Sequence, residues 1–205
     1  SAAAKNTKTN ITDETDTIVS SLSEEEQKEV NNVLMIQDNI DQQQEYAENS
    51  ILMKIDPYNE STGTLQYFFD VEPYIDPSTK DYSSNLLNLY QSYVNNGMLV
   101  ADLVESGIEL DAQYLGELIT CEVQSGMLLD NSSDAVVLEE SVSSFNIKVV
   151  NVDEKSCKEL TEKIAECVQD YHAKLNTSVG QHDLTLMDES YSQVVDRDLW
   201  TYKYD

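Results

Sequence analysis

Basic residues are scarce in this chain. Its 205 residues include 12 lysines and arginines against 39 aspartates and glutamates, which gives a formal net charge of −27 at pH 7. Arg197 is the only arginine. Nucleic acids and anionic lipid surfaces are bound by lysine and arginine side chains that neutralise phosphates. The composition therefore argues against nucleic acid or anionic lipid as a direct ligand, and against a substrate held by paired guanidinium groups.

Histidine and cysteine are also few. The two histidines, His172 and His182, leave little scope for acid/base catalysis or zinc binding. Of the three cysteines, Cys157 and Cys167 fall in one predicted helix, about 15 Å apart along its axis, which is too far for a disulfide. We therefore expect buried free thiols, and a single disulfide through Cys121 stays open as the alternative.

Several familiar signatures are missing. The chain contains no run of 18 apolar residues, no signal-peptide core, no P-loop, no dinucleotide fingerprint, no nucleophile elbow and no HExxH motif. Asp130–Asp134 faintly resembles a calcium loop, but it lacks the central glycine and has Ser141 where the twelfth-position glutamate belongs. The sequence thus predicts no catalytic residue, no cofactor and no metal site, with adventitious calcium left open.

The first regular pattern is a helix that begins at Ser23. Ser23 and Glu26 have the spacing of a capping box, and the acidic first turn suits the helix dipole. Apolar side chains then recur at helical spacing in a narrow stripe, which favours packing against another helix or against the chain's own domain. The residues taken as the candidate helix-packing or oligomer seam are Val33, Ile36, Ile40 and Gln43.

Beyond Ser50 the periodicity alternates between that of strands and that of helices. Strands are predicted near residues 50–56, 64–72, 119–124, 143–152 and 182–190. Helices are predicted from Ser83 or Ser84 to Asn95, from Met98 to Ser106, from Asp111 through Leu118 and from Asp153 through Leu175. The first two strands are expected to form a hairpin. The last helix is expected to connect two strands that run parallel if they share a sheet.

These elements predict an α+β fold with an α/β-like unit. Its mixed sheet carries the long helix on one face, and an N-terminal helical segment is added to it. Residues 1–22 are polar and aperiodic, so we expect a disordered arm or the remnant of a removed segment. Residues 23–205 are expected to form one domain, in which 23–49 is a helical insertion and 50–205 is the core.

The order of these elements resembles the extracytoplasmic domain of the polysaccharide co-polymerase, or chain length determinant, family. Three stretches carry the resemblance, and none of them is a strict motif. They are Tyr46 to Asp70 (YAENSILMKIDPYNESTGTLQYFFD), Tyr82 to Val123 (with LLNLYQSYVNNGMLVADLVESGIELDAQYLGELITCEV) and Ser143 to Asp188 (with SFNIKVVNVDEKSCKELTEKIAECVQDYHAKL and LTLMDES). Together they cover somewhat more than half of the chain. Two features depart from the family's pattern: Ser190–Asp205 lacks the expected prolines, and the helix before Ser50 is long.

The resemblance implies a non-catalytic domain on the extracytoplasmic side of a bacterial cell membrane, flanked by two transmembrane helices. Such a domain forms homo-oligomers and sets the length of a surface polysaccharide, so its partners are copies of itself and a polysaccharide polymerase or the nascent polysaccharide. Nucleic acid is not an implied partner. Two alternatives stay open: a secreted or surface binding module for a cation or glycan, and a hydrolase that uses two carboxylates.

Overall fold

The computed structural model of the chain describes residues 23–70, 79–123 and 144–204. The chain divides into two compact units, and the boundary falls between Asn49 and Ser50. The predicted arm at 1–22 and the calcium-like loop at Asp130–Asp134 lie outside the described residues.

The described part of the first unit is a single helix, α1 (Glu24–Asn49). The predicted capping box is confirmed at its start. The Glu26 amide donates to Ser23 Oγ at 3.4 Å, and the Ser23 amide donates to the Glu26 carboxylate at 3.0 Å. No residue of α1 is buried.

The second unit confirms the α+β class. Its elements, in chain order, are α2 (Ile51–Lys54), β1 (Glu60–Asp70), α3 (Thr79–Asn95), α4 (Met98–Glu105), α5 (Ala112–Gly116), β2 (Ile119–Val123), β3 (Ser144–Asn151), α6 (Glu154–Ser178), β4 (Asp183–Val194) and α7 (Arg197–Tyr204). The strands form one sheet in the order β2-β3-β1-β4. We expected a mixed sheet, but each hydrogen-bonded pair of described strands is antiparallel.

The predicted crossover is present in a split form. Because β3 and β4 are both antiparallel to β1, they run parallel to each other with β1 between them. Helix α6 connects them and packs on the sheet, as expected for the long helix. Asp153 begins this helix by accepting a hydrogen bond from the Ser156 amide at 2.8 Å.

The predicted strand at 50–56 is wrong, and so is the hairpin built on it. Ser50 Oγ accepts a hydrogen bond from the Met53 amide at 3.3 Å and starts the single helical turn α2. Ile51, Leu52 and Met53 are all apolar, and so short an apolar run is compatible with either a strand or a helix. Strand β1 begins at Glu60 and pairs with β3 and β4, which come much later in the chain.

The core lies between the sheet and the helices α3 to α6. Leu65, Tyr67 and Phe69 of β1 point into it together with Phe145 and Ile147 of β3, each at most 1% exposed. The ring of Phe145 stacks between two tyrosine rings, with centroids 5.3 Å from Tyr67 and 4.9 Å from Tyr90. These stacked rings add specific aromatic contacts to the area that they bury.

Helix α6 approaches β1 closely at Gly63. A Cβ atom added there would overlap Thr161 Oγ1 and would lie 3.2 Å from the Tyr191 ring. Thr161 is fully buried, and its hydroxyl donates to the Cys157 carbonyl at 2.7 Å. Glycine at this strand position is therefore required by the helix above it rather than by a turn.

All three cysteines are free and buried, which confirms the expected thiols. Burial raises the pKa of each thiol, that of Cys121 to about 12. The thiols are therefore protonated at neutral pH and are poor nucleophiles.

Candidate functional site

The most unusual group of charges lies where the start of β1 meets the end of β4. The backbone amide of Asp196 donates to the Pro57 carbonyl at 2.8 Å, which brings the end of β4 beside the start of β1. The Asp196 carboxylate then accepts from the Leu199 amide at 2.9 Å and caps α7. Glu60, the first residue of β1, is 1% exposed. Lys148 of β3 lies beside it, and we call Glu60, Lys148 and Asp196 the carboxyl cluster.

The two acids of the carboxyl cluster are hydrogen-bonded to each other. Lys148 Nζ lies 3.6 Å from Glu60 Oε1, and the Thr62 hydroxyl donates to the same oxygen at 3.1 Å. Burial raises the pKa of Glu60 despite the nearby ammonium, and the hydrogen bond to Asp196 adds to the rise. Burial acts on Asp196 in the same direction, but the Leu199 amide, the Glu60 carboxyl group and Lys148 outweigh it and lower its pKa.

The raised pKa of Glu60 and the lowered pKa of Asp196 mean that Asp196 ionises first as the pH rises. Between the two pKa values Glu60 donates the shared hydrogen bond and Asp196 accepts it as a carboxylate. Glycoside hydrolysis needs about 5 to 9.5 Å between two carboxyl groups, and a direct hydrogen bond leaves no such gap. The cluster therefore lacks the carboxyl separation of the hydrolase considered above, and it joins the start of β1 to the N-cap residue of α7.

Glu60→Gln should make the domain more stable at neutral pH. The folded-state pKa of Glu60 is raised above 4.5, so its stabilising contribution is present below that value and is lost as the pH rises through the folded pKa. Glutamine keeps a donor for Asp196 and never ionises. Urea unfolding should therefore show an advantage of the variant that grows as the pH rises from 4.5 through the folded pKa of Glu60.

Glu122→Gln is the matched control, because this glutamate is exposed on β2. It should show no growing advantage. A Glu60→Gln protein that loses stability relative to the wild type as the pH rises would mean that the ionised carboxylate, paired with Lys148, is the favoured form.

A shallow groove lies beside the carboxyl cluster. It has a volume of about 640 Å³ and runs along the end of β4 and the start of α7. Its lining residues are Lys148, Val194, Val195, Asp196, Arg197 and Asp198. Among the described residues no group of three or more histidine, cysteine, aspartate or glutamate side chains is placed to hold a metal ion. The groove thus offers both signs of charge and an apolar edge.

The two histidines meet at the turn between α6 and β4. Their ring centroids are 4.8 Å apart. His182 is 4% exposed; its Nδ1 lies 3.1 Å from the Gly180 carbonyl, and its Nε2 lies 2.5 Å from the Tyr90 hydroxyl. These neighbours assign the neutral ring: Nδ1–H donates to Gly180, and Nε2 accepts from Tyr90. Both nitrogens are satisfied within the fold, which favours a structural role for His182.

Acid should weaken the fold through His182. Burial lowers the pKa of His182 below its ordinary 6.5, and the neighbouring His172 acts in the same direction. The unfolded chain therefore binds more protons than the folded chain once the pH falls below 6.5, and the unfolding free energy falls from there down to the folded pKa. Urea unfolding of the wild type and of His182→Gln at about pH 7.5 and pH 5.5 measures this loss. We expect a smaller loss in the variant, and equal losses would contradict the assignment.

The structure places the predicted seam on one face of α1. Val33 is 64%, Ile36 58% and Ile40 50% exposed, and Gln43 is exposed as well. Leu34 and Met35 are also exposed, but helical spacing places them on other sides of α1, outside the seam. A partner for this face stays a prediction.

Sequence reasoning missed the carboxyl cluster and the groove. Glu60 falls between the strands predicted at 50–56 and 64–72, and no element is predicted after residue 190. The sequence does contain a weak signal. Asp196 stands in the N-cap position ahead of Leu199, Trp200 and Tyr204, and the last two have helical spacing. Nothing in the sequence pairs Asp196 with Glu60.

Comparisons with protein-family models, with curated proteins and with solved structures find no match for this chain. Within the described ranges, no helix has the length and apolar character needed to cross a membrane. The function is therefore argued from the fold and its surfaces.

Proposed function

We propose that this chain is the extracytoplasmic domain of a membrane-anchored, non-catalytic protein that regulates the length of a surface polysaccharide through oligomerisation. The observation that carries the proposal is the order of elements in the second unit. Helix α3, the break at Gly97, helix α4, the short helix α5 and strand β2 follow one another. Strand β3, the long α6 and the returning β4 then follow. Both series have the order predicted above, on which the family resemblance rests, whereas the strand predicted at 50–56 is replaced by the helical turn α2.

The surface of α1 gives separate support. Helix α1 has 26 residues and no buried side chain. Helix formation in water stabilises such a segment only slightly, because most helical stability in proteins comes from packing of an apolar face. Its exposed aliphatic residues Val33, Ile36 and Ile40 would gain about 1.5 to 3 kcal/mol each on full burial. Covering this seam with a neighbouring copy supplies such a gain, and homo-oligomerisation is what the proposed regulator requires.

The chemistry of the described side chains is consistent with a scaffold. Glu60 is buried and hydrogen-bonded to Asp196, and the buried thiols are held protonated. His182 has both ring nitrogens occupied by neighbours. In the proposed role, bond formation belongs to a separate polysaccharide polymerase, and the domain contacts that enzyme or the nascent polymer.

The coding sequence on either side of the chain, together with membrane fractionation, tests the anchoring. We expect an apolar helix before residue 1 and another after residue 205. The full-length product should stay in the membrane fraction after alkaline carbonate washing and enter solution only with detergent. A product released to the medium behind a signal peptide alone would contradict the proposal and favour the secreted glycan-binding module.

A further inference from the structure

Helix α7 presents an aromatic pair to solvent. Trp200 is 42% and Tyr204 is 64% exposed, and their ring centroids lie 5.6 Å apart with the planes at 48°. Positions three and four apart share a helix face, so Arg197, Trp200 and Tyr204 form one stripe. Leu199 faces the other way and is 5% exposed. The helix is thus anchored by one side and offers its aromatic side outward.

The anchoring of α7 makes this surface a fixed one. Lys203 Nζ donates to the Ile55 carbonyl at 2.7 Å, and Asp196 caps the helix at its other end. Arg197 belongs both to the aromatic stripe and to the lining of the groove described above. Groove and stripe therefore form one continuous surface, which we call the α7 surface.

The composition of the α7 surface suits a sugar. A pyranose ring has apolar C–H faces and a rim of hydroxyl groups. Aromatic rings present large apolar faces that pack on such C–H groups. The carboxylates of Asp196 and Asp198 can accept hydrogen bonds from the sugar hydroxyls, and the Arg197 guanidinium can donate to the oxygens of those hydroxyls. The surface holds the apolar and polar groups that one sugar needs, side by side.

Charge selects the kind of sugar. The groove contains two basic and two acidic side chains, so its own lining is balanced. The whole chain carries −27, which repels uronic acid and phosphate groups at a distance. We propose that the α7 surface binds a neutral polysaccharide, with pyranose rings stacked on Trp200 and Tyr204.

A membrane interface is the competing occupant, because tryptophan and tyrosine also gather at lipid headgroups. The carboxylates of Asp196 and Asp198 line the same groove and disfavour an anionic bilayer surface. The mixed polar lining therefore favours the glycan. The choice of a polysaccharide as ligand rests on the proposed function. Sugar binding itself can be measured whether or not the protein regulates polysaccharide length.

Trp200 is the only tryptophan of the chain, so its fluorescence reports on the α7 surface alone. The intact 205-residue chain would be titrated with three neutral probes: maltohexaose, laminarihexaose and chitohexaose. We expect a saturable change in emission with at least one of them, and saturation-transfer NMR should show contact with the sugar C–H protons. Hexagalacturonate, which is acidic, should bind at least about tenfold more weakly.

Tyr204→Ala and Tyr202→Ala form a matched pair, since residues two apart on a helix point to different sides. Losing the stacked ring of Tyr204 should weaken binding by at least about fivefold, whereas the Tyr202 variant should bind within about twofold of the wild type. Both variants should first be shown to melt within a few degrees of the wild type. Tyr204→Phe, which keeps a ring, should retain binding and distinguishes stacking from a general loss of structure.

Three results would overturn the inference. They are no change in emission or saturation transfer with any of the three probes, equal losses in the two alanine variants, or a blue shift with phosphatidylcholine vesicles in the absence of sugar binding. The last result would assign the surface to a membrane interface. None of them bears on whether polysaccharide length is regulated. Conversely, sugar binding by a protein whose deletion leaves polysaccharide length unchanged would contradict the proposed function and leave this inference intact.

Discussion

Gly63→Ala should destabilise the second unit by about 1 to 3 kcal/mol, the usual cost of forcing an extra carbon into a packed core. At about 2 to 4 °C per kcal/mol for a domain of this size, the melting temperature should fall by several degrees. The added Cβ would overlap Oγ1 of Thr161, a fully buried residue of α6. Helix α6 or β1 must therefore shift to admit a single methyl group. Thermal unfolding followed by circular dichroism measures the effect.

Gly116→Ala is the matched control for this substitution. The added Cβ at Gly116 would lie 3.7 Å from Val100 Cγ2, an ordinary van der Waals distance. Because alanine is also the better helix former, this variant should be as stable as the wild type or more so.

A double-mutant cycle tests the cause of the Gly63 effect. In a Thr161→Ala background the obstructing hydroxyl is gone, so Gly63→Ala should cost clearly less than it does alone. Equal costs in both backgrounds would contradict the close approach of α6 to β1.

Ile36→Asp combined with Ile40→Asp should abolish association of the chain with itself. Two carboxylates in the middle of the seam would have to be buried or solvated at the interface, and full burial of each isoleucine contributes about 1.5 to 3 kcal/mol. Because the chain carries −27, association of the wild type should be weak at low salt and should increase as salt screens the charge. Light scattering across a salt series should show the wild-type mass rising while the variant stays monomeric.

Asn31→Asp with Gln42→Asp adds the same charge on the other side of α1, and this control should associate like the wild type once salt is raised. If the seam instead packs within its own chain, the isoleucine variant will lower the melting temperature without changing the mass. Unchanged mass and unchanged melting temperature together would show that the seam is an unused stripe.

Much of the second unit could be predicted from local patterns. Asp111 and Asp153 each stand just before an apolar run with helical periodicity. Their carboxylates accept hydrogen bonds from backbone amides of the first helical turn and so cap the helices. Gly97 and Gly107 flank α4 with positive φ angles of 86° and 96°, which glycine adopts at no steric cost. Such signals act within one turn of the chain and can be read without the fold.

What sequence could not supply is the pairing between distant segments. Alternation identified the strand around Leu65 but did not reveal that β1 lies between β3 and β4, because a strand's neighbours depend on the packing of the whole sheet. The carboxyl cluster follows from that order, since it joins the first residue of β1 to the residues after β4. The seam on α1 could be found because it depends on helical spacing alone.

The size distribution of the surface polysaccharide in the source organism tests the central claim most directly. The gene would be deleted and then restored as wild type or as the double variant Ile36→Asp, Ile40→Asp, and the extracted polymer would be separated by gel electrophoresis. The account predicts that the deletion strain still makes the polymer but loses its preferred length, that the wild-type gene restores that length, and that the double variant does not. A deletion strain whose polymer keeps its preferred length, or one that makes no polymer at all, would contradict a non-catalytic regulator of chain length.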